Sequence, residues 1–306
     1  MQSRRKFIKK SALSATLISL GGGVSLGSCN IPEKTHITIL HTNDIHSQIE
    51  PLPHNHYKYP GLGGFSRRAT LIENIRKENP NTLLLDAGDI FQGTPYFNYF
   101  GGELEFKLMS ILGYDAVTLG NHDFDNGLNG LLSQMPNAKF NFVSANYNFN
   151  NTVLNGFIKP YSIFMKNNIK IGVFGLGVEL EGLVSKSLYK ETVYLNPLEI
   201  ANDTVRELKE NKKCDLVICL SHLGYAYKNN SEKICDIQLA RQTKDIDLII
   251  GGHTHTLLSK PTTEKNSIGK NVIINQCGKS GIAMGKIDFY ISKNGDKNIQ
   301  GASIIV

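Results

Sequence analysis

The sequence predicts an α/β fold in which strands and helices alternate along a single domain. From His36 onward, short apolar runs typical of buried strands are separated by amphipathic stretches with helical spacing. Five of the apolar runs end in Asp, His or Asn. Open α/β sheets place their functional groups beyond the carboxyl ends of the strands. The same pattern therefore predicts a functional site at one edge of the fold.

Five helices and nine strands are expected along this domain. The fourth helix has the clearest beginning, because Asn196 can cap it, Pro197 suits its first position and Glu199 can complete a capping box. The Asn-rich stretch Asn146–Gly156 lacks periodicity and is predicted to be a loop. The predicted helices are Arg67–Glu78, Glu103–Leu112, Gly127–Met135, Pro197–Lys212 and Ser231–Lys244. The predicted strands are Ile37–Leu40, Leu83–Leu85, Ala116–Leu119, Phe140–Ala145, Ile169–Gly175, Leu216–Ile218, Leu248–Ile250, Val272–Cys277 and Met284–Ile291.

The first 28 residues are predicted to be an export signal. They combine the Arg4-Arg5 pair of a twin-arginine signal with the apolar stretch Ala12–Leu26. Leu26–Cys29 resembles a bacterial lipobox, which predicts that lipidated Cys29 anchors the protein in the bacterial cell envelope or periplasm. A transmembrane anchor is the alternative, but a span needs about 20 apolar residues and this stretch has about 15, including glycines. The predicted organisation is a signal peptide (1–28), a tether (29–35) and one domain (36–306).

The basic character of the chain belongs mostly to the signal segment. Without its five basic residues, 28 Lys and Arg remain against 27 Asp and Glu. A nearly neutral domain has no charge excess that would attract a polyanion. No nucleic-acid polymer is therefore expected as a partner.

Four cysteines follow Cys29, and none has the spacing of a cysteine metal site. Disulfides would be possible in an oxidising envelope. Cys214 and Cys219, however, flank one predicted strand and are held too far apart to bridge each other. Buried free thiols are the favoured interpretation for Cys214, Cys219, Cys235 and Cys277.

The polar residues at the strand ends have the chemistry of a two-metal site. Asp44 and His46 are two residues apart, so on an extended backbone their side chains can point the same way. Gly88 precedes Asp89 and allows the backbone to turn tightly against an ion. Carboxylate, amide and imidazole groups together suit first-row divalent ions, and Zn²⁺, Mn²⁺ and Fe are all compatible. The other candidates are Asn121 and His122 in Gly120–Asp123, His222 after Leu216–Ile218, and His253 and His255 in Gly251–His255.

Each of these motifs alone is more often structural than metal-binding. All five in order favour the metal site, because so many polar side chains at strand ends would otherwise be unpaired. Two ions about 3.5–4 Å apart and bridged by a carboxylate can hold the attacking and leaving oxygens of an in-line displacement. The pattern therefore predicts a hydrolase with two metal ions.

The motifs resemble those of the calcineurin-like metallophosphoesterase superfamily. More narrowly, they are similar to the metallophosphatase domain of the 5′-nucleotidase / UDP-sugar hydrolase / 2′,3′-cyclic phosphodiesterase family. The resemblance extends from about His36 to about Ile291, which is nearly the whole predicted mature chain. The narrower resemblance rests on Leu40–His46, Gly93–Pro95, Gly113–Ala116 and Gly120–Gly127.

The resemblance implies a four-layer α/β/β/α sandwich around two mixed β-sheets, with Asp89 bridging two divalent ions. His122 would not be a ligand; it resembles the histidine that stabilises the phosphoryl transition state and assists the leaving group, with Asp125 orienting it. Some members of the family have Gln at the position of His255, which leaves the metal preference open. One ion would be held by Asp44, His46, Asp89 and His255, and the other by Asp89, Asn121, His222 and His253.

The function implied is hydrolysis of phosphomonoesters by a metal-bridged hydroxide, with nucleotides as the leading small-molecule substrates. Two alternatives have the same metal site but hydrolyse a different bond. They are a phosphodiesterase that acts on cyclic or dinucleotide substrates, and a thiosulfate-ester hydrolase. A third is a non-catalytic subunit or binding lipoprotein. His122 and Asp125 argue against that third alternative, because a protein that only binds needs no leaving-group acid.

The chain departs from the family in one respect. Full-length 5′-nucleotidases carry a second, C-terminal domain that binds the nucleotide, whereas this sequence ends at Val306. Either a separate nucleotide-binding polypeptide is expected to supply those contacts, or the substrate is smaller or different.

Overall fold

The computed structural model describes residues 34–228 and 233–306. The predicted signal peptide, Cys29 and most of the predicted tether lie outside these residues. In the described part of the chain, no helix is both long enough and apolar enough to cross a membrane.

Fourteen strands and seven α-helices make up the described chain. The strands are β1 (Thr35–Thr42), β2 (Thr82–Asp86), β3 (Ala116–Val117), β4 (Asn141–Phe142), β5 (Tyr147–Asn148), β6 (Tyr161–Lys166), β7 (Ile169–Leu176), β8 (Val193–Tyr194), β9 (Leu216–Ser221), β10 (Leu248–Gly251), β11 (Thr262–Lys265), β12 (Asn271–Asn275), β13 (Ala283–Ile291) and β14 (Lys297–Ile305). The helices are α1 (Phe65–Glu78), α2 (Pro95–Phe100), α3 (Glu103–Leu112), α4 (Gly127–Gln134), α5 (Lys186–Tyr189), α6 (Pro197–Arg206) and α7 (Asp236–Gln242).

Twelve of the strands form two mixed sheets. The first has the order β14-β13-β1-β2-β3-β4, and the second has the order β11-β12-β10-β9-β7-β6. In the first sheet β1, β2, β3 and β4 run parallel, while β13 and β14 are antiparallel to their neighbours. In the second, β7, β9, β10 and β12 run parallel, and the edge strands β6 and β11 are antiparallel.

The apolar side chains of the strands separate the molecule into four layers. In β1, Ile37 and Ile39 lie between the two sheets, whereas Leu40 packs with α1, α3 and α4. In β9, Leu216 lies between the sheets, whereas Val217 packs with α6 and α7. This alternation follows from the two-residue period of a strand. The order helix, sheet, sheet, helix confirms the predicted α/β/β/α sandwich of two mixed sheets.

Aspartates at the starts of three strands tie neighbouring strands together. Each carboxylate accepts a hydrogen bond from the main-chain N–H of a residue on the adjacent strand, which satisfies a donor near the edge of the sheet. The sequence analysis did not predict these contacts. The pairs are Asp115 with Leu84 (2.8 Å), Asp215 with Lys170 (2.7 Å) and Asp247 with Val217 (2.9 Å).

Several predicted element boundaries were wrong. The helix predicted over Ser231–Lys244 is described only as α7, and the strand predicted over Ala116–Leu119 ends at Val117. The helix predicted over Pro197–Lys212 is α-helical to Arg206 and continues as a π-helical turn over Glu207–Asn211. The predicted loop Asn146–Gly156 contains β5, which pairs with β8.

The helix cap and the cysteines are as predicted. The Asn196 side chain accepts hydrogen bonds from the main-chain N–H groups of Leu198 and Glu199, so it caps α6. The four cysteines of the described chain are free and buried, which confirms the favoured interpretation over disulfides.

Candidate dinuclear metal centre

Two groups of potential metal ligands meet where the parallel strands of both sheets end. Within each group, one ligand atom of every residue lies within 4.8 Å of the others. The parallel arrangement of β1 with β2, and of β9 with β10, brings the loops after these strands to one edge. The first group is Asp44, His46 and His255, and the second is Asp89, His222 and His253.

Asp89 lies between the two groups. One carboxylate oxygen, Oδ2, is 3.1 Å from Nε2 of His222 and 3.9 Å from Nε2 of His46. The other, Oδ1, accepts a hydrogen bond from the main-chain N–H of His122 at 2.8 Å. Asp89 is 1% exposed. Its carboxylate therefore has the position that a bridging ligand requires.

Asn121 and Asp44 complete the inner surface of the centre. Oδ1 of Asn121 lies 2.9 Å from Nδ1 of His253. The main-chain N–H of His253 donates to both carboxylate oxygens of Asp44, at 2.9 and 3.1 Å. The loops after β1, β3 and β10 are thereby joined, and all seven predicted ligands lie around one centre.

The surroundings of His222 fit a metal ion. Its Nδ1 lies 2.7 Å from the carbonyl oxygen of Ala87, so Nδ1 carries the hydrogen and Nε2 is left with a lone pair. Nε2 is buried, makes no hydrogen bond of its own and points at the Asp89 carboxylate. Two acceptors at this distance need a cation between them. A proton is the alternative: burial opposes a charge on His222, but Asp89 and then Asp44 outweigh it and raise the pKa of His222 to about 10.

The imidazoles of the first group have a similar arrangement. Nε2 of His46 and Nε2 of His255 are 3.0 Å apart, and the latter is 3.4 Å from Oδ1 of Asp44. Burial lowers the pKa of His46, which favours its neutral form. In the second group, burial, and next the charge of His222, lowers the pKa of His253 to about 4. Neutral imidazoles beside carboxylates are the donor set that divalent transition metals bind.

Left-handed backbone conformations are concentrated at the centre. A non-glycine residue in this conformation costs about 1–2 kcal/mol, so the surrounding contacts must hold it there. No residue pattern in the sequence predicted these conformations. The predicted ligands with positive φ are Asp44 (49°), His46 (51°), Asp89 (55°), His253 (69°) and His255 (53°).

His122 and Asp125 form a pair beside the ligands. A short 3₁₀ helix over His122–Phe124 places the two side chains together, with Nδ1 of His122 2.8 Å from Oδ2 of Asp125. The bond to Asp125 raises the pKa of His122, although partial burial opposes it. The His122 ring is 5.3 Å from the ring of His46. This half-exposed imidazole is therefore held in a fixed orientation at the mouth of the centre.

Two buried residues that the sequence analysis did not select also hold the loops. Asp123 accepts four main-chain N–H bonds from the loops that carry Asp89 and Asn121. Burial, and next the charge of Asp89, raises the pKa of Asp123 to about 7, while the hydrogen bond from Gly120 opposes that rise. Gln276, after β12, donates to the carbonyl of Gly252 and accepts from the N–H of Thr256. Asp123 adjoins the predicted Asn121-His122 motif, but no feature of the sequence marked Gln276.

A cleft lies away from the centre, at the amino ends of β10 and β12 beside the β13–β14 turn. Its volume is about 810 Å³. Two ion pairs line it: Lys297 contacts Asp247 at 2.6 Å, and Lys270 contacts Asp245 at 3.0 Å. None of the seven candidate ligands lines this cleft.

The fold and the two groups of ligands define the class, a metal-dependent phosphoesterase domain. The model of the calcineurin-like phosphoesterase family matches residues 37–257. The chain belongs to this family of phosphoric ester hydrolases, as its sequence predicted.

Several relatives of the chain are 5′-nucleotidases. A snake venom 5′-nucleotidase from Naja atra is 37% identical over 76% of this chain and 43% of its own length. A 5′-nucleotidase from Vibrio cholerae is 33% identical over 99% of this chain and 58% of its own length. The crystal structure of a 5′-nucleotidase precursor from Thermus thermophilus has a TM-score of 0.80 and 32% identity, covering 89% of this chain and 55% of that one. The chain thus spans about half the length of these relatives.

Proposed function

We propose that the chain hydrolyses phosphomonoesters at this centre and that nucleotides are its leading substrates. The single observation that supports this most directly is the placement of Asp89 between two groups of ligands, with the lone pair of His222 aimed at its carboxylate. The 5′-nucleotidase relatives support the substrate class. One ion would be held by Asp44, His46, Asp89 and His255, and the other by Asp89, Asn121, His222 and His253.

The residues beside the ligands have separate tasks in this proposal. When bound, two divalent ions supply a water of lowered pKa and neutralise the charge of the phosphoryl group. His122 donates a hydrogen bond, and then a proton, to the oxygen of the leaving alcohol. Asp125 holds Nδ1 of His122, so that Nε2 is directed to the substrate and the imidazole keeps its proton at higher pH. Buried Asp89 and His222 keep the ligand geometry free of competing water.

A panel of phosphate esters, assayed after chelation and metal add-back, tests the proposal. Chelated protein is expected to be inactive, and Zn²⁺, Mn²⁺ or Fe²⁺ should restore hydrolysis of AMP and of p-nitrophenyl phosphate. The ion that restores most activity identifies the metal preference. Phosphate release that is unaffected by chelation would contradict the proposal. Faster hydrolysis of bis(p-nitrophenyl) phosphate than of the monoester would favour the phosphodiesterase alternative.

We also propose that a separate nucleotide-binding polypeptide completes the substrate site. The relatives are about twice as long as the region they share with this chain. Aromatic side chains on α2 are open to solvent, with Tyr99 84% and Phe100 46% exposed. Thr94, at the start of α2, donates to the carbonyl of Ser47, next to the ligand His46. α2 therefore begins beside the loop that carries His46, and its last turn offers exposed aromatic side chains to a partner.

The envelope location and the lipid anchor are further proposals. Their support is the twin-arginine pair and the lipobox-like Leu26–Cys29. Expression of the full chain with a radiolabelled fatty acid tests both. We expect labelled protein in the membrane fraction, and loss of the label with release to the soluble fraction for Cys29→Ser. An unlabelled wild-type chain would contradict the anchor.

A further inference from the structure

Asp123 joins the two loops on which the candidate metal centre depends. Its Oδ2 accepts hydrogen bonds from the main-chain N–H of Asp89 at 3.0 Å and of Gly120 at 2.8 Å. Its Oδ1 accepts from the N–H of Ile90 at 2.9 Å and of Phe91 at 3.2 Å. The side chain is 1% exposed. One buried carboxylate therefore binds three consecutive N–H groups after β2 and one N–H group after β3.

The backbone that Asp123 holds is one that Asp89 would not adopt on its own. Asp89 has a φ of 55°, the left-handed conformation that is unfavourable for a residue with a Cβ atom. The four main-chain hydrogen bonds that Asp123 accepts can offset this cost, because each satisfies a buried N–H donor. The conformation aims the Asp89 carboxylate at His222 and at the main-chain N–H of His122.

The two loops approach each other closely at Gly120. A Cβ atom on Gly120 would lie 2.2 Å from Oδ1 of Asp89 and 2.6 Å from its main-chain nitrogen. The loop after β3 therefore passes so close to Asp89 that position 120 has no room for a side chain. Asp123 is the side chain that contacts the main chain on both sides of this approach.

We propose that Asp123 is a positioning residue that fixes Asp89 between the two ligand groups before any ion binds. The inference rests on the proposed function only in that divalent ions bind at this centre. Asp123 touches neither ion nor substrate in this role. Its effect is on the free energy of binding of both ions, through the shared ligand Asp89.

Metal affinity of Asp123→Asn tests the proposal. The amide keeps the size of the side chain but replaces one acceptor oxygen with an NH₂ group, which would oppose two main-chain donors. Titration of chelated protein with Zn²⁺ against a chromophoric chelator is expected to show binding weaker by about 10- to 100-fold, the range for loss of a residue that orients a ligand. Asp123→Glu keeps both acceptor oxygens and should recover most of the affinity.

Asp115→Asn is the matched control, because Asp115 lies before β3, whereas Asp123 lies beyond its carboxyl end. Asp115 also accepts a main-chain N–H bond, from Leu84, but it lies at the start of β3, at the opposite end of the strand from the centre. The Asp115→Asn variant is expected to have a lower free energy of unfolding and an unchanged affinity for Zn²⁺. Equal losses of affinity in Asp115→Asn and Asp123→Asn would overturn the proposal, as would wild-type affinity in Asp123→Asn.

If Asp123→Asn does not fold, hydrogen exchange of the wild-type protein tests whether the Asp89 loop is ordered before any ion binds. The amides of Asp89, Ile90, Phe91 and Gly120 should exchange slowly in the metal-free protein and change little when Zn²⁺ is added. Rapid exchange without the ion and protection only with it would mean that the metal orders the loop, and the proposal would be wrong. Because these measurements do not use turnover, a protein that binds Zn²⁺ but hydrolyses no ester would contradict the proposed function and leave this test intact.

Discussion

At the scale of single residues, Asp89 is the ligand whose loss should affect both ions. Its carboxylate lies within 4 Å of imidazoles from both groups. In Asp89→Asn an amide replaces the charged bridge, so we expect activity to be lost and metal content to fall below one ion per chain. The fold should persist, because the amide oxygen can still accept the N–H of His122. Elemental analysis of the purified variant is the measurement, and two tightly held ions would rule out the bridging role.

His122 is expected to act on the leaving group and not to hold metal. His122→Ala should retain both ions while kcat falls by about 10²- to 10⁴-fold, the usual range for loss of a general acid. The deficit should be smaller for p-nitrophenyl phosphate than for AMP, because p-nitrophenolate needs little help to leave. Steady-state kinetics with both substrates measure the difference. An equal loss for both would show that the proton-donor role is wrong.

His41, buried beneath the centre, should make the protein less stable in acid. Burial lowers its pKa to about 3, while the unfolded chain has a value of about 6.5. Between these values the unfolded state binds one more proton, so stability falls as the pH drops below about 6.5, by about 1.4 kcal/mol per pH unit. From pH 7 to about pH 5 the contribution is about 2 kcal/mol.

Urea unfolding of metal-free protein can isolate this contribution. His41→Gln should be less stable than wild type at pH 7, because the buried contact with Asn275 at 3.0 Å is disturbed. Its stability should, however, fall less than that of wild type between pH 7 and about pH 5. The other histidines are common to both proteins and cancel in the comparison. Parallel pH profiles would mean that His41 does not titrate on unfolding.

At the scale of the elements, the start of α6 can be tested directly. The Asn196 side chain satisfies two main-chain donors at the first turn. Asn196→Ala should lower the free energy of unfolding by about 1 kcal/mol, whereas Asn196→Asp should retain it, since Asp is an equally good cap. Denaturant unfolding at fixed metal content measures both. An unchanged Asn196→Ala variant would indicate that packing alone determines where this helix begins.

The sequence predicted the central elements better than those at the edges. Buried strands such as β2 and β9 are continuous apolar runs, because both of their faces are covered. The edge strands β6, β11 and β14 alternate between partly buried and exposed residues and were not predicted. Their pairing depends on the neighbouring strand, so a local pattern in the sequence carries little information about them.

At the scale of the whole molecule, the isolated chain should discriminate poorly among substrates. Without a second nucleotide-binding polypeptide, kcat/KM for AMP, GMP and a simple sugar phosphate is expected to agree within about tenfold. Tenfold is about 1.4 kcal/mol, close to what one aromatic stack contributes. Steady-state kinetics of the isolated chain give the answer, and adding the partner should raise kcat/KM for nucleotides selectively.

A pocket within this chain is the competing explanation for any specificity. The loop Leu52–Gly64 carries Tyr57, which is 91% exposed, and Tyr59, whose ring lies 6.2 Å from that of His56. A strong preference for one nucleotide that is lost in Tyr57→Ala or Tyr59→Ala would contradict the need for a partner.

The sequence by itself determined the class of fold and the chemistry of the site. Apolar runs that alternate with amphipathic helices specify layered sheets, since those side chains must be buried. The residues after the runs specify ligands, since the carboxyl ends of parallel strands share an edge. Asp44, Asp89 and His222 could be selected on that ground alone, because each follows such a run.

Tertiary structure alone decided how those ligands are held. Three features depend on contacts between different loops. They are the left-handed conformation of Asp89, the hydrogen bonds that Asp123 accepts, and the hydrogen bond that Gln276 donates to the His253 loop. Main-chain N–H groups are chemically alike in every sequence, and the acceptor of each is determined only when the loops pack together. For that reason the sequence indicated which groups bind the ions, whereas the packing of the loops determined where those groups are.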